Sequence, residues 1–198
     1  MPIQRRHCLL TPVFSPLLSP LLWAPSAWAS DLEDAVSSLR AGGAVAAFRH
    51  TLAPGTFDPP QFKLGNCSTQ RKLSDEGRAQ ASRLGAWFSA RQLRPARVRS
   101  SPWCRCVDTA WLAFDRADLW PALGSPTGQS AQVRTAQQDE LRVALQKASA
   151  RRGEFEVWVT HMFVMNELAQ VALAAGEGLV LRADTAGAPQ VLARIMVA

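Results

Sequence analysis

Histidine is scarce in this sequence: three residues in 198, beside 22 lysines and arginines and 16 acids. With so few, where each one falls carries information. Four cysteines are equally few, and no C-x-x-C pair has a partner pair elsewhere, which argues against a zinc-type site. The net charge of +6 is gathered into no Lys/Arg block, so it favours anionic partners in general without pointing to nucleic acid. No acidic residue precedes Asp31. There is no internal repeat and no compositional break that would mark a second domain. At 47% hydrophobic and 19% charged, the composition excludes a disordered chain and a polytopic membrane protein.

The first 29 residues read as an address. Arg5 and Arg6 give a positive start, an apolar stretch runs from Leu9 to Trp23, and Ala27-Trp28-Ala29 forms an A-x-A cleavage site. Pro12, Pro16, Pro20 and Pro25 break the stretch well short of the ~20 apolar residues that a membrane span needs. A signal peptide over residues 1–29 is expected, followed by one domain over 30–198 in a periplasmic or secreted protein without a stable membrane span. Gln4-Arg5-Arg6 is compatible with either Sec or twin-arginine export. Processing removes Arg5 and Arg6 and no acid, so 20 positive charges face 16 negative, a net +4. His7 and Cys8 also leave. The mature chain keeps two histidines, His50 and His161, and three cysteines, Cys67, Cys104 and Cys106. In an oxidising compartment a disulfide is expected. Cys104 and Cys106 are too close to bond each other, so Cys67 bridges to one of them and the third is buried.

Hydrophobic periodicity predicts helices over 31–40, 74–91, 103–114, 131–150 and from 162 through 175. Short apolar runs predict strands at 44–48, around Val98, at 155–160, 179–181 and 191–197. Segments 51–70 and 120–130, rich in Pro, Gly and Ser, read as loops. Strands alternate with helices and lack a clean polar alternation, which implies an α/β fold around a mostly parallel sheet covered on both faces.

Three of these strands end in polar residues: Arg49-His50-Thr51, Arg99-Ser100-Ser101, and Thr160-His161. Ligands of open α/β sheets bind beyond the carboxyl ends of strands. Both mature histidines, with Arg49 and with Arg105 just after the second strand, therefore converge on one sheet edge. Guanidiniums grip the oxygens of a tetrahedral anion, and imidazole is a competent nucleophile toward phosphorus.

Taken in order, Arg49-His50, the helix segment Leu73-x-x-x-Gly77-x-x-Gln80-Ala81, Ser101-Pro102-x-x-Arg105-x-x-x-Thr109-Ala110, and Val159-Thr160-His161 resemble the histidine phosphatase superfamily. That superfamily includes phosphoglycerate mutases and acid phosphatases. The resemblance spans about 44–181 and implies a three-layer αβα, phosphoglycerate mutase-like sandwich. It implies that His50 attacks the phosphoryl group to form a phosphohistidine. Arg49, Arg105 and His161 would bind the phosphoryl oxygens, with no cofactor and no metal. Two histidines flanked by arginines are electrostatically hostile to a cation.

The sequence departs from the family at three places. Thr51 stands where glycine usually follows Arg-His, narrowing or reshaping the phosphate loop. Met162-Phe163-Val164-Met165 is unusually apolar for a pocket wall. The proton donor to the leaving group is unassigned, with Asp58, Asp139, Glu140 and Glu177 as candidates. Arg49 and Arg105 have an ordinary alternative, ion pairs with Asp108 or Glu167, and Gln70-Arg71 either helps bind substrate or is solvated surface. Trp103 is expected at the mouth. The expected activity is metal-independent hydrolysis of a small phosphorylated substrate: a sugar phosphate, an envelope glycan phosphate or a phosphoprotein. A non-catalytic phosphate- or phosphoglycan-binding module on the same fold is the alternative.

Overall fold

A computed structural model describes residues 27–197. All but the last three residues of the expected signal peptide lie outside that range; Ala27–Ala29 open the first helix. Six strands form one sheet in the order β3-β2-β4-β1-β5-β6. They are β1 (Ala44–Arg49), β2 (Arg97–Ser100), β3 (Asp118–Leu119), β4 (Phe155–Thr160), β5 (Gly178–Ala183) and β6 (Pro189–Ile195). Pairs β3–β2, β2–β4 and β4–β1 are parallel; β1–β5 and β5–β6 are antiparallel. The sheet is mostly parallel, as the strand composition implies.

Alternation along β1 divides the core. Ala44, Ala46 and Phe48 face α1 (Ala27–Ala41), α2 (Asp75–Ala90) and α3 (Cys104–Phe114) through Leu39, Leu84, Phe88 and Ala110. Val45 and Ala47 face α4 (Ala131–Ser149) and α5 (Met162–Ala169) through Leu141, Leu145, Val164 and Met165. That is the three-layer αβα sandwich. None of the described helices is long and apolar enough to cross a membrane.

Local chemistry sets the helix starts. Ser74 and Ser130 cap α2 and α4, their hydroxyls accepting from the Gly77 and Val133 amides. Four elements differ from expectation. α1 opens at Ala27 rather than 31. α5 ends at Ala169 rather than 175, because Gln170 turns into the left-handed region (φ 56°). The freed segment sends the Leu173 carbonyl to Arg49 and the Ala175 carbonyl to Gln80, both at 2.8 Å, which a continuing helix would withdraw. β6 sits two residues earlier than 191–197, beginning at Pro189. β3 is too short to leave a periodic trace and exists through its pairing with β2.

Candidate active site

Parallel neighbours β2, β4 and β1 end together, so the residues just past them share one edge. The His50 amide donates to the Thr160 carbonyl and the Ser101 amide to the Val159 carbonyl, both at 2.9 Å. These bonds bring the His50 and His161 rings to 5.6 Å between centroids. α3 opens at the same edge and delivers Arg105 between them. Arg105 Nε lies 3.1 Å from His50 Nε2, and Nη2 lies 3.3 Å from His161 Nδ1. Arg49, His50, Arg105 and His161 thus line one cleft of about 310 Å3, together with Asp58, Arg71, Trp103, Met162 and Phe163.

Hydrogen bonding assigns the imidazole tautomers. His50 Nδ1 is 2.8 Å from the Thr51 carbonyl, which only accepts, so Nδ1 carries the proton and Nε2 offers a lone pair to Arg105. Burial, reinforced by the Arg105 charge, pushes His50 from 6.5 down to about 3, so the ring is neutral near neutrality. His161 is held well below its ordinary value by burial and then by Arg105. Its Nδ1 accepts from Arg105 and its Nε2 pairs with the Ser101 hydroxyl at 2.8 Å.

Three guanidiniums face one carboxylate in this cleft, a surplus of two positive charges. The Nε atoms of Arg49 and Arg71 are buried with no hydrogen-bond partner. Such donors are costly to leave unmade unless an acceptor belongs there. Of the two roles open to Arg71, substrate contact and solvated surface, the structure gives it a place lining the cleft, held by the Ala53 carbonyl at 2.8 Å. Gln70 is a buried structural residue whose Oε1 accepts from the Cys104 amide at 2.9 Å, capping α3.

Of the four candidate acids, only Asp58 faces the cleft. Both its oxygens bond Arg105 Nη1, at 3.0 and 3.1 Å, and it also accepts from Trp103 Nε1 and the Arg71 amide. Asp139 pairs with Arg142 on α4, Glu140 accepts from Trp120, and Glu177 is buried against Arg194 and the Ala174 amide. The ordinary ion pairs open to Arg49 and Arg105 do not form: Asp108 pairs with Arg78 and Glu167 with Arg134. Thr51 is buried and tied to α3, its amide and hydroxyl meeting Thr109 Oγ1 at 3.2 and 3.0 Å. Cys67 bonds Cys104, pinning the 51–70 loop to the start of α3. Cys106 is free and buried, and burial raises its thiol to about 12.

A histidine phosphatase superfamily (branch 1) profile matches residues 65–127, which include Arg105 but neither histidine. Solved structures share the fold at low identity. A putative alpha-ribazole-5'-P phosphatase from Escherichia coli K-12 aligns with TM-score 0.57 and 13% identity, over 78% of this chain and 97% of its own. A phosphoserine phosphatase mutant from Entamoeba histolytica, complexed with phosphoserine, gives 0.55 and 14%, over 76% and 95%. The protein histidine phosphatase SixA, complexed with tungstate, gives 0.54 and 17%, over 77% and 96%. No curated protein matches the sequence significantly. The chain thus shares the phosphoglycerate mutase-like fold of these proteins, and its 65–127 segment is similar to the histidine phosphatase superfamily.

Proposed function

We propose that this protein is an exported phosphatase that hydrolyses small phosphomonoesters through a phosphohistidine on His50, without a metal. The observation that carries the reading is the neutral His50 Nε2 beside Arg105, in a cleft where the buried Nε atoms of Arg49 and Arg71 lack acceptors. Phosphatases among the proteins of this fold, with tungstate or phosphoserine bound, agree with it. In the proposed step His50 Nε2 forms a bond to phosphorus as the ester P–O bond breaks in line, and the departing oxygen takes up a proton. Water then attacks phosphorus, the N–P bond breaks, and inorganic phosphate leaves. Arg49, Arg71 and Arg105 neutralise the equatorial oxygens, where phosphoryl transfer gathers its charge. His161 contributes a hydrogen bond in its Nδ1–H tautomer. That tautomer sets two donors, Nδ1–H and Arg105 Nη2, face to face, and a phosphoryl oxygen between them relieves the clash. Asp58, in its protonated form, is the carboxyl near enough to give the departing oxygen its proton, and it takes one back from the attacking water. The Cys67–Cys104 bridge supports maturation in an oxidising compartment, with the signal peptide removed after Ala29.

Hydrolysis of a chromogenic monoester in the presence of a chelator, abolished in His50→Ala, is the expected outcome. Phosphate trapped on any residue other than His50 overturns the mechanism. Tight phosphate binding without turnover would make the chain a binding module instead.

A further inference from the structure

Outward from His50 the cleft changes character. Trp103 and Phe62 stack with ring centroids 5.5 Å apart and planes 13° from parallel. Phe57 stands 65% exposed on the same loop, Pro59 adjoins it, and Met162 and Phe163 line the cleft from the start of α5. Beyond the Nε atoms of Arg49 and Arg71 and the Thr56 hydroxyl, most polar side-chain atoms along these walls are already engaged. Trp103 Nε1 is given to Asp58, whose oxygens are filled by Arg105 and the Arg71 amide. The Ser125 hydroxyl is given to Thr127 Oγ1, and Arg71 Nη1 to loop carbonyls. A leaving group rich in hydroxyls would find few free partners here, and would lose water without replacement. A flat apolar one would find aromatic faces, and would cover a phenylalanine ring that now stands in water.

We propose that the cleft selects phosphomonoesters whose leaving group carries an aromatic ring, aryl or arylalkyl phosphates, over sugar and polyol phosphates. The proposal rests on the phosphatase reading and narrows it: among phosphoproteins it favours an aromatic phosphorylated side chain.

Phosphonates test it without turnover. Titration calorimetry on the disulfide-intact protein would compare methylphosphonate, 2-phenylethylphosphonate and 3,4-dihydroxybutylphosphonate. The phenylethyl compound should bind about tenfold more tightly than the methyl compound, the scale of one or two aromatic contacts. That ratio should fall to about threefold or less in Phe57→Ala and in Phe62→Ala. Phe57 is an exposed loop residue, so its variant keeps the test open if Phe62→Ala does not fold. A dihydroxybutyl compound that binds as well as the phenylethyl one overturns the proposal. So does a ratio that survives both substitutions, or no binding by any of the three. An aromatic preference with no hydrolysis of any monoester would fail the phosphatase reading alone, whereas hydrolysis with no preference would fail the inference alone.

Discussion

Both Asp58 oxygens accept from Arg105 Nη1, at 3.0 and 3.1 Å, engaging a donor that could otherwise turn to a phosphoryl oxygen. A carboxylate in that place is a competitor for anions as well as a brace for the guanidinium. Asp58→Asn removes one negative charge from the cleft while keeping a side chain of the same shape. Inorganic phosphate should then inhibit about three- to tenfold more strongly, the size expected of one nearby charge at a partly screened site. Inhibition constants measured at fixed ionic strength check this, and an unchanged or weaker constant would show that the brace outweighs the competition. If Asp58 also protonates the leaving group, the same variant loses kcat most with esters of poorly acidic alcohols. Thr51 shows how a departure from family pattern can be absorbed. Its hydroxyl meets Thr109 Oγ1, which in turn donates to the Arg105 carbonyl at 2.7 Å, so the substituted loop gains an anchor to the helix that carries the clamp.

At the scale of elements, the 51–70 loop is the least regular part of the site and the most heavily tethered. Gln80 accepts from the Leu52 amide and donates to the Ala175 carbonyl, bridging two loops from one helix position. A side chain at Gly77 would run into the Leu52 carbonyl, so glycine there lets α2 lie directly against the loop. These two contacts explain why the Gly-x-x-Gln-Ala segment was readable as a motif: it positions the residues following His50. The strand ends at His50 and His161 were readable because short apolar runs stop there, whereas β2 (Arg97–Ser100) offers Val98 alone as an apolar residue. Asp58, Phe62 and Arg71 left no such trace, because a loop has no period; Asp58 and Phe62 find their partners at Trp103 and Arg105, at the start of α3, and Arg71 is held by carbonyls of the loop itself. The cysteine partner was equally hidden, as Cys104 and Cys106 are equivalent until α3 is docked. Closing a 37-residue separation, the Cys67–Cys104 bridge should contribute about 4 kcal/mol in the chain-entropy account. Reduction, or a paired Cys67→Ser/Cys104→Ser variant, should lower the unfolding free energy by up to that amount in urea melts. It should also raise KM more than it lowers kcat, because the loop carries walls of the cleft.

For the molecule as a whole, the two buried histidines link stability to pH. His50 titrates at about 3 in the fold against 6.5 when unfolded, and His161 is lowered as well. Well above pH 6.5 both are neutral in either state and cost nothing. As pH falls from there toward 3, the unfolded chain takes up protons that the folded one refuses, so stability declines. From His50 alone the decline between pH 7.5 and 4.5 should be about 2–3 kcal/mol. Denaturant melts at the two pH values, compared with His50→Gln, isolate this part, and an equal slope in the variant would contradict it. Saturating phosphate should flatten the wild-type curve, because a bound anion offsets the Arg105 charge that helps keep both rings unprotonated.

The place of the disulfide has a consequence for how the site comes into being. Successive residues of a helix turn by about 100°, so Cys104 and Cys106 look out from α3 in nearly opposite directions, with Arg105 between them. Cys104 meets the loop, whereas Cys106 points inward at the Thr160 carbonyl and His161. Joining Cys67 to the inner thiol instead would roll the helix and carry Arg105 out of the cleft. The chain thus has one correct and one nearby incorrect cross-link, and only the first leaves an anion clamp behind. In this protein the choice of cysteine partner and the direction the arginine faces are tied together through one helix.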